Sequence, residues 1–250
     1  MLEILAIPAF KDNYIWLLRK GQHAVIVDPG DASVVIQALE QHHLSLDAIL
    51  ITHHHSDHID GVDNLLARHP CPVYAPLRER YAFPHTPVSE NDRIVLDSLD
   101  LELKVIEVPG HTLGHVAYFG NGLLFCGDTL FGAGCGRLFE GTPAQMYSSL
   151  QKLAQLPPET RVYCTHEYTE HNLRFALGLE PDNTALQQRA LAASSLRQAG
   201  LPTLPSTIAL ERETNPFLRC EQSTIQRAAR IDSSDPVAVF TAIRESRNHY

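Results

Sequence analysis

The segment that most constrains this chain lies at residues 48–58, where the apolar run 48–51 passes directly into Thr52-His53-His54-His55-Ser56-Asp57-His58. A short apolar run bounded by polar residues reads as a buried strand. Side chains alternate along extended backbone, so His53 and His55 share one face and His54 points to the other. A turn at Ser56 then brings Asp57 and His58 beside the first pair as a second group. Imidazole and carboxylate both ligate zinc and related first-row metals. A solvated polar loop explains a lone histidine, but not this density of ligand-type side chains at a strand end.

The pattern recurs at three later positions. His111 in Pro109-Gly110-His111-Thr112 follows an expected strand at 101–108. Asp128 in Cys126-Gly127-Asp128-Thr129 follows one at 123–126, and His166 in Cys164-Thr165-His166-Glu167 follows one at 161–164. Each alone is an ordinary turn residue. Their recurrence beyond separate strands is what a site assembled along one sheet edge produces.

Further strands are expected at 14–18, 24–27, 94–96 and 116–118, and helices at 31–43, 61–68 and 143–156. After His166 the texture changes. Helical periodicity covers 169–179, 184–199 and 235–244, Pro202 and Pro205 punctuate a loop, and no strand is expected. The chain therefore reads as α/β, with a smaller helical region after it. The domains expected are 1–166 and 167–250.

Composition narrows the function classes. The net charge of −9 supplies no basic face for nucleic acid or an anionic membrane surface. No stretch approaches the ~18 apolar residues of a spanning helix. Glu3 stands where a secretory signal would be basic, so a cytoplasmic chain is expected. The five cysteines are odd in number and contain no C-x-x-C pair, which argues against a disulfide framework or a cysteine zinc knuckle.

The set His53-x-His55-x-Asp57-His58 with His111, Asp128 and His166 resembles the binuclear site of the metallo-β-lactamase superfamily. Narrower motifs resemble its hydroxyacylglutathione hydrolase (glyoxalase II) branch. They are Pro109-Gly110-His111-Thr112-Leu113-Gly114-His115, Cys126-Gly127-Asp128-Thr129-Leu130-Phe131, Gly134-Cys135-Gly136-Arg137-Leu138-Phe139-Glu140-Gly141, His166-Glu167-Tyr168-Thr169 and Asn215-Pro216-Phe217-Leu218-Arg219. The resemblance implies an αββα sandwich at 1–166 and a helical substrate-binding domain at 167–250. It also implies two divalent metal ions, zinc by default and iron or manganese as alternatives. His53, His55 and His111 would ligate one ion, and Asp57, His58 and His166 the other. Asp128 would bridge them, and Asp57 and Asp128 would position a bridging hydroxide.

The implied reaction is hydrolysis of S-(2-hydroxyacyl)glutathione by a monomeric enzyme acting on a small molecule. Arg137 and Tyr168, with Arg244 and Arg247 from the C-terminal region, would hold the glutathione moiety. Arginine suits its two carboxylates through bidentate pairing. Phe139 replaces a tyrosine common in relatives, and Arg137 and Arg247 occupy positions that can be lysine. Asp60 replaces a small residue after the metal motif. His54 and His115 are expected as supporting residues rather than ligands, and His171 as an ordinary surface or packing histidine. The alternatives are another enzyme of the superfamily, such as a glutathione-persulfide dioxygenase, and a metal-binding module without catalysis.

Overall fold

In a computed structural model describing residues 1–250, the strands expected near the N-terminus belong to a six-stranded sheet. Its order is β1 (Glu3–Ala9), β2 (Asn13–Lys20), β3 (His23–Val27), β4 (Ser45–Leu50), β5 (Val73–Pro76) and β6 (Thr86–Val88). β1 to β3 pair antiparallel and β3 to β6 parallel. Alternation along β2 explains why it reads as an unbroken apolar run. Ile15 and Leu17 face one layer, Trp16 and Leu18 the other, and all four are buried. The Ile15 face carries Ala24, Ile26 and Ile49 and packs on Val35 and Leu39 of α1 (Ala32–Gln41). The same cluster holds Val62 and Leu65, past the single turn α2 (Ser56–Ile59), on α3 (Val62–Arg68).

A meander of β7 (Arg93–Leu96), β8 (Leu101–Glu107), β9 (Val116–Gly120) and β10 (Leu123–Gly127) follows. The buried Tyr118 hydroxyl on β9 donates to the Ile51 carbonyl at 2.6 Å, joining the meander to the strand that leads into the histidine segment. These elements form one compact unit, Met1–Glu107 with Leu113–Gly127.

The second unit is Val108–Thr112 with Asp128–Tyr250. It opens with a hairpin of β11 (Leu130–Phe131) and β12 (Gly134–Cys135). Next comes α4 (Pro143–Ala154), started by Pro143 and by a capping box between Thr142 and Gln145. β13 (Arg161–Cys164), α5 (Thr169–Leu179) and α6 (Thr184–Gln198) follow, then β14 (Ser206–Thr207), α7 (Ile208–Thr214), α8 (Ser223–Ala229) and α9 (Pro236–Asn248). Ala133 of the hairpin loop packs with Leu173 and Ala176 of α5 and with Leu186 and Ala193 of α6. Phe217 meets Phe240 of α9 edge-on at 5.7 Å.

The expectation of no strand after His166 is corrected by β14, which pairs antiparallel with β13. Two residues between Pro205 and a helix carry no alternation to read. β1 escaped the periodicity because Pro8 interrupts it, and an edge strand tolerates proline. The last helix runs beyond residue 244 to Asn248, which places Arg247 one turn from Arg244 on the same helix.

Candidate active site

In the first unit the backbone bends sharply around Asp28, which sits at φ +53° between β3 and Pro29-Gly30. Its carboxylate accepts from the Thr52 amide and the Thr52 hydroxyl, both at 2.7 Å. Gly30 is required here, because a Cβ would lie 1.9 Å from the Asp57 carbonyl oxygen. The histidine segment is thereby clamped against the β3 loop.

The Thr52 proton goes to Asp28, so the contact from His53 Nδ1 to Thr52 Oγ1 at 3.1 Å has the imidazole donating. That places the lone pair of His53 on Nε2, which lies 3.0 Å from His55 Nδ1. His58 Nδ1 lies 3.0 Å from Asp28 Oδ2, leaving its Nε2 3.7 Å from Asp57 Oδ2. Asn13 donates to that same Asp57 oxygen at 2.9 Å. His53 and His58 are wholly buried. The four ligand-type residues of this unit thus converge, with His53, Asp57 and His58 held by Thr52, Asn13 and Asp28. His54 turns instead to Glu79 at 3.3 Å. His115 stacks on the His53 ring, with centroids 4.6 Å apart and planes 19° apart.

In the second unit His111 follows Gly110, where a Cβ would lie 2.8 Å from the Met146 backbone. His111 Nδ1 lies 2.8 Å from the Arg137 carbonyl, which only accepts, so the Nδ1 proton is fixed and Nε2 carries the lone pair. That Nε2 is 3.4 Å from Asp128 Oδ2, and His166 Nε2 is 3.3 Å from the same oxygen. The His166 ring stacks on Tyr168 at 4.7 Å with planes 2° apart. One carboxylate flanked by two imidazoles, each turning Nε2 toward it, offers ligand atoms of the types that divalent cations take.

A cavity of about 390 Å³ opens beside this set, lined by His111, Asp128, Arg137, Tyr168, Arg244 and Arg247 among others. All four residues expected to hold substrate therefore share one cavity with two of the expected ligands. Arg244 is 6% exposed, donates to the Cys135 carbonyl at 2.8 Å and lies 5.2 Å above the Phe217 ring. Its Nε is buried without a hydrogen-bond partner. Arg247 donates to Asn172 Oδ1 at 3.0 Å and lies 5.9 Å above Phe175. Burial, then the charges of Arg244 and Arg137, lowers the pKa of Arg247. This is a concentration of positive charge on a protein whose net charge is negative.

Sequence reasoning missed three residues. Asp28 reads only as a turn aspartate before Pro-Gly. Asn172, four positions after Tyr168 on one helix face, carried its signal only in that spacing. His171 also lines the cavity, a place that the sequence does not mark. Burial and then Arg247 and Arg174 lower its pKa, and its Nδ1 lies 3.2 Å from Arg174 Nη2.

Residues 10–166 match the profile of the metallo-beta-lactamase superfamily. The crystal structure of the BLEG-1 B3 metallo-beta-lactamase superposes with a TM-score of 0.66 at 26% identity, covering 87% of this chain and 99% of that one. The chain belongs to the metallo-beta-lactamase superfamily and has its fold, with mixed sheets and a C-terminal helical region.

Residues 167–250 match the profile described as the hydroxyacylglutathione hydrolase C-terminus. The hydroxyacylglutathione hydrolase of Methylobacillus flagellatus is 59% identical over all of both chains. That of Aeromonas hydrophila is 53% identical over 98% of each. Within the superfamily, the chain belongs to the hydroxyacylglutathione hydrolases.

Proposed function

We propose that this chain hydrolyses S-(2-hydroxyacyl)glutathione thioesters such as S-D-lactoylglutathione to glutathione and a 2-hydroxy acid, the second step of methylglyoxal detoxification. The observation that carries the reading is the single cavity in which three arginines and Tyr168 stand beside His111 and Asp128. A group with two carboxylates finds its counter-charges there, next to donors suited to a metal. We carry forward 1–166 as the catalytic region and 167–250 as the substrate-binding region. Free cysteines, four of them buried, accord with a reducing, cytoplasmic setting, and no helix is long and apolar enough to cross a membrane. The enzyme is taken as monomeric.

The donor chemistry fits two divalent cations, with zinc first and iron or manganese as alternatives. His53, His55 and His111 would hold one and Asp57, His58 and His166 the other, with Asp128 shared. Five neutral imidazoles and two carboxylates leave such a pair with net positive charge, as an electrophilic centre requires. When bound, the pair supplies an acidified water and a polarising charge for a carbonyl oxygen.

The rest falls to the side chains. Asn13 and Asp28 fix Asp57 and His58, and the Arg137 carbonyl fixes the His111 tautomer. Arg137, Arg244 and Arg247 pair with the glutathione carboxylates, and Tyr168 packs against the tripeptide beside His166. The departing thiol has a pKa of roughly 8.5, so it leaves as thiolate without a dedicated general acid.

Purified protein should release thiol from S-D-lactoylglutathione, lose that activity on chelation and regain it with Zn²⁺. No release, or release indifferent to chelation, overturns the reading. Oxygen consumption with glutathione persulfide would point to the dioxygenase alternative. The full-length relatives, named as hydrolases, do not favour that alternative.

A further inference from the structure

We infer that Asn215 and Glu211, two wholly buried residues that do not line the cavity, are positioning residues for substrate binding, acting through the β11–β12 hairpin and the arginines of α9. The inference rests on the thioesterase reading above and names what holds that site in shape.

The hairpin is the reason a brace is needed. It pairs only Leu130 with Cys135 and Phe131 with Gly134, too short to stand alone in water. Its loop holds Ala133 at φ +54°, a conformation costing a non-glycine residue about 1 kcal/mol. Yet its front face is part of the cavity. Phe131 and Cys135 line it, Asp128 precedes it and Arg137 follows it. The Cys135 carbonyl is the acceptor that holds Arg244. Asn172, which holds Arg247, donates its own amide to the Gly132 carbonyl at 3.0 Å.

The back of the hairpin is gripped by α7 and the turn after it. Glu211 Oε2 accepts from the strained Ala133 amide at 2.9 Å. Asn215 Nδ2 donates to the Gly134 carbonyl at 2.9 Å and the Phe131 carbonyl at 3.2 Å, and contacts Glu211 Oε2 at 3.0 Å. Glu211 is itself fixed by Arg189 and Ser206, both at 2.5 Å from Oε1.

The other end of the Asn215 amide does a second task. Its Oδ1 accepts from the Phe217 amide at 3.1 Å. Phe217 is the ring beneath Arg244, and it stacks at 6.3 Å on Phe175, the ring beneath Arg247. One side-chain amide therefore holds both the strand residue next to the carbonyl that orients Arg244 and the aromatic platform under the two arginines. A side-chain amide carries two N–H donors and a carbonyl acceptor on opposite arms of one planar group, which this double task uses. The motifs Gly134-Cys135-Gly136-Arg137 and Asn215-Pro216-Phe217, 81 residues apart at Gly134 and Asn215, meet through it.

The test is a double-mutant cycle on the metal-loaded enzyme, comparing wild type, Asn215→Ala, the pair Arg244→Ala/Arg247→Ala, and the triple variant. Chelator-sensitive thiol release by the wild type comes first, since its absence removes the parent reading and the inference with it. Given that activity, Asn215→Ala should raise KM about tenfold, with kcat within about threefold and metal content retained. In the background lacking both arginines the same substitution should change kcat/KM by less than about twofold, because its route to substrate is gone. Equal effects in both backgrounds, or an unchanged KM, overturn the inference while leaving the thioesterase reading intact. Should Asn215→Ala fail to fold, Glu211→Gln goes through the same cycle. It keeps an acceptor for the Ala133 amide, and its effect on KM must likewise vanish without the arginines.

Discussion

Four candidate ligands of the first unit come from six consecutive residues, 53–58, and three of them, His53, Asp57 and His58, are held by the side chains of Thr52, Asn13 and Asp28. The three of the second unit come from positions 111, 128 and 166, and its cavity residues are fixed largely by backbone carbonyls and aromatic faces. A contiguous donor segment needs only a brace to keep its imidazoles turned inward. A dispersed set needs the whole frame around it. Damage to the first region should therefore appear as lost metal, and damage to the cavity of the second as weakened substrate binding.

The sharpest challenge is Asp128→Ala, because Asp128 faces two imidazoles and also borders the cavity. Metal content and kcat should fall by more than the ~100-fold that loss of an outer partner of a ligand typically costs. Full activity with both metals retained would remove Asp128 from its proposed role. Next in size is Asp28→Asn, which keeps the shape but weakens the brace on Thr52 and His58. Metal affinity should drop ~10–100-fold, with KM little changed once zinc is saturating. Competition with a chromogenic chelator measures it, and unaltered affinity would mean the segment holds its shape unaided.

The same contrast explains what the sequence revealed. The His53–His58 cluster was legible because its donors fall within six consecutive residues, just past the end of β4 and into the single turn α2. Asp28 was not, since its partners Thr52 and His58 lie across a parallel strand pairing that no local pattern announces. Arg244 and Arg247 were named only through family resemblance. Nothing local marks a helix end as cavity wall, and the expected helix stopped before Arg247. Asn215 was visible as part of a motif, but its hydrogen-bond partner Phe131 stands 84 residues earlier. β14 shows the same limit, because a strand of two residues is defined by its partner rather than by its own pattern.

On the cavity side, Arg244→Ala with Arg247→Ala should raise KM about tenfold or more and leave kcat and metal content near wild type. Steady-state kinetics with S-D-lactoylglutathione, paired with metal analysis, decides it. An unchanged KM would mean that the C-terminal arginines do not grip the substrate. A fall in metal content would erase the division of labour between the two regions.

The smallest effect belongs to a charge pair in the second unit that touches neither the candidate ligands nor the arginine cavity. Glu180, 5% exposed, accepts from Arg219 at 2.8 and 2.9 Å and from Thr224 at 2.5 Å. Burial pushes its pKa up, but the hydrogen bonds from Arg219 and Thr224 outweigh burial and leave it below the ordinary carboxyl value. A carboxyl whose folded pKa is depressed adds stability that is complete above its unfolded pKa of ~4.3 and is lost as pH falls through the lower folded value. Glu180→Gln should therefore lower Tm at pH 7, by roughly 2–4 °C for each kcal/mol lost in a chain of this size. The gap from wild type should begin to close as the pH drops below ~4.3, where the unfolded carboxyl takes up its proton, and vanish once the pH passes the lower folded value, where the native carboxyl does so too. Turnover and KM at pH 7 should stay within about twofold of wild type, since Glu180 does not line the cavity. Calorimetric scans of both proteins from acid to neutral pH give the difference curve. Melting curves that run parallel throughout would show that the charge of Glu180 contributes nothing, and a shifted KM would show that this part of the helical region is coupled to the cavity after all.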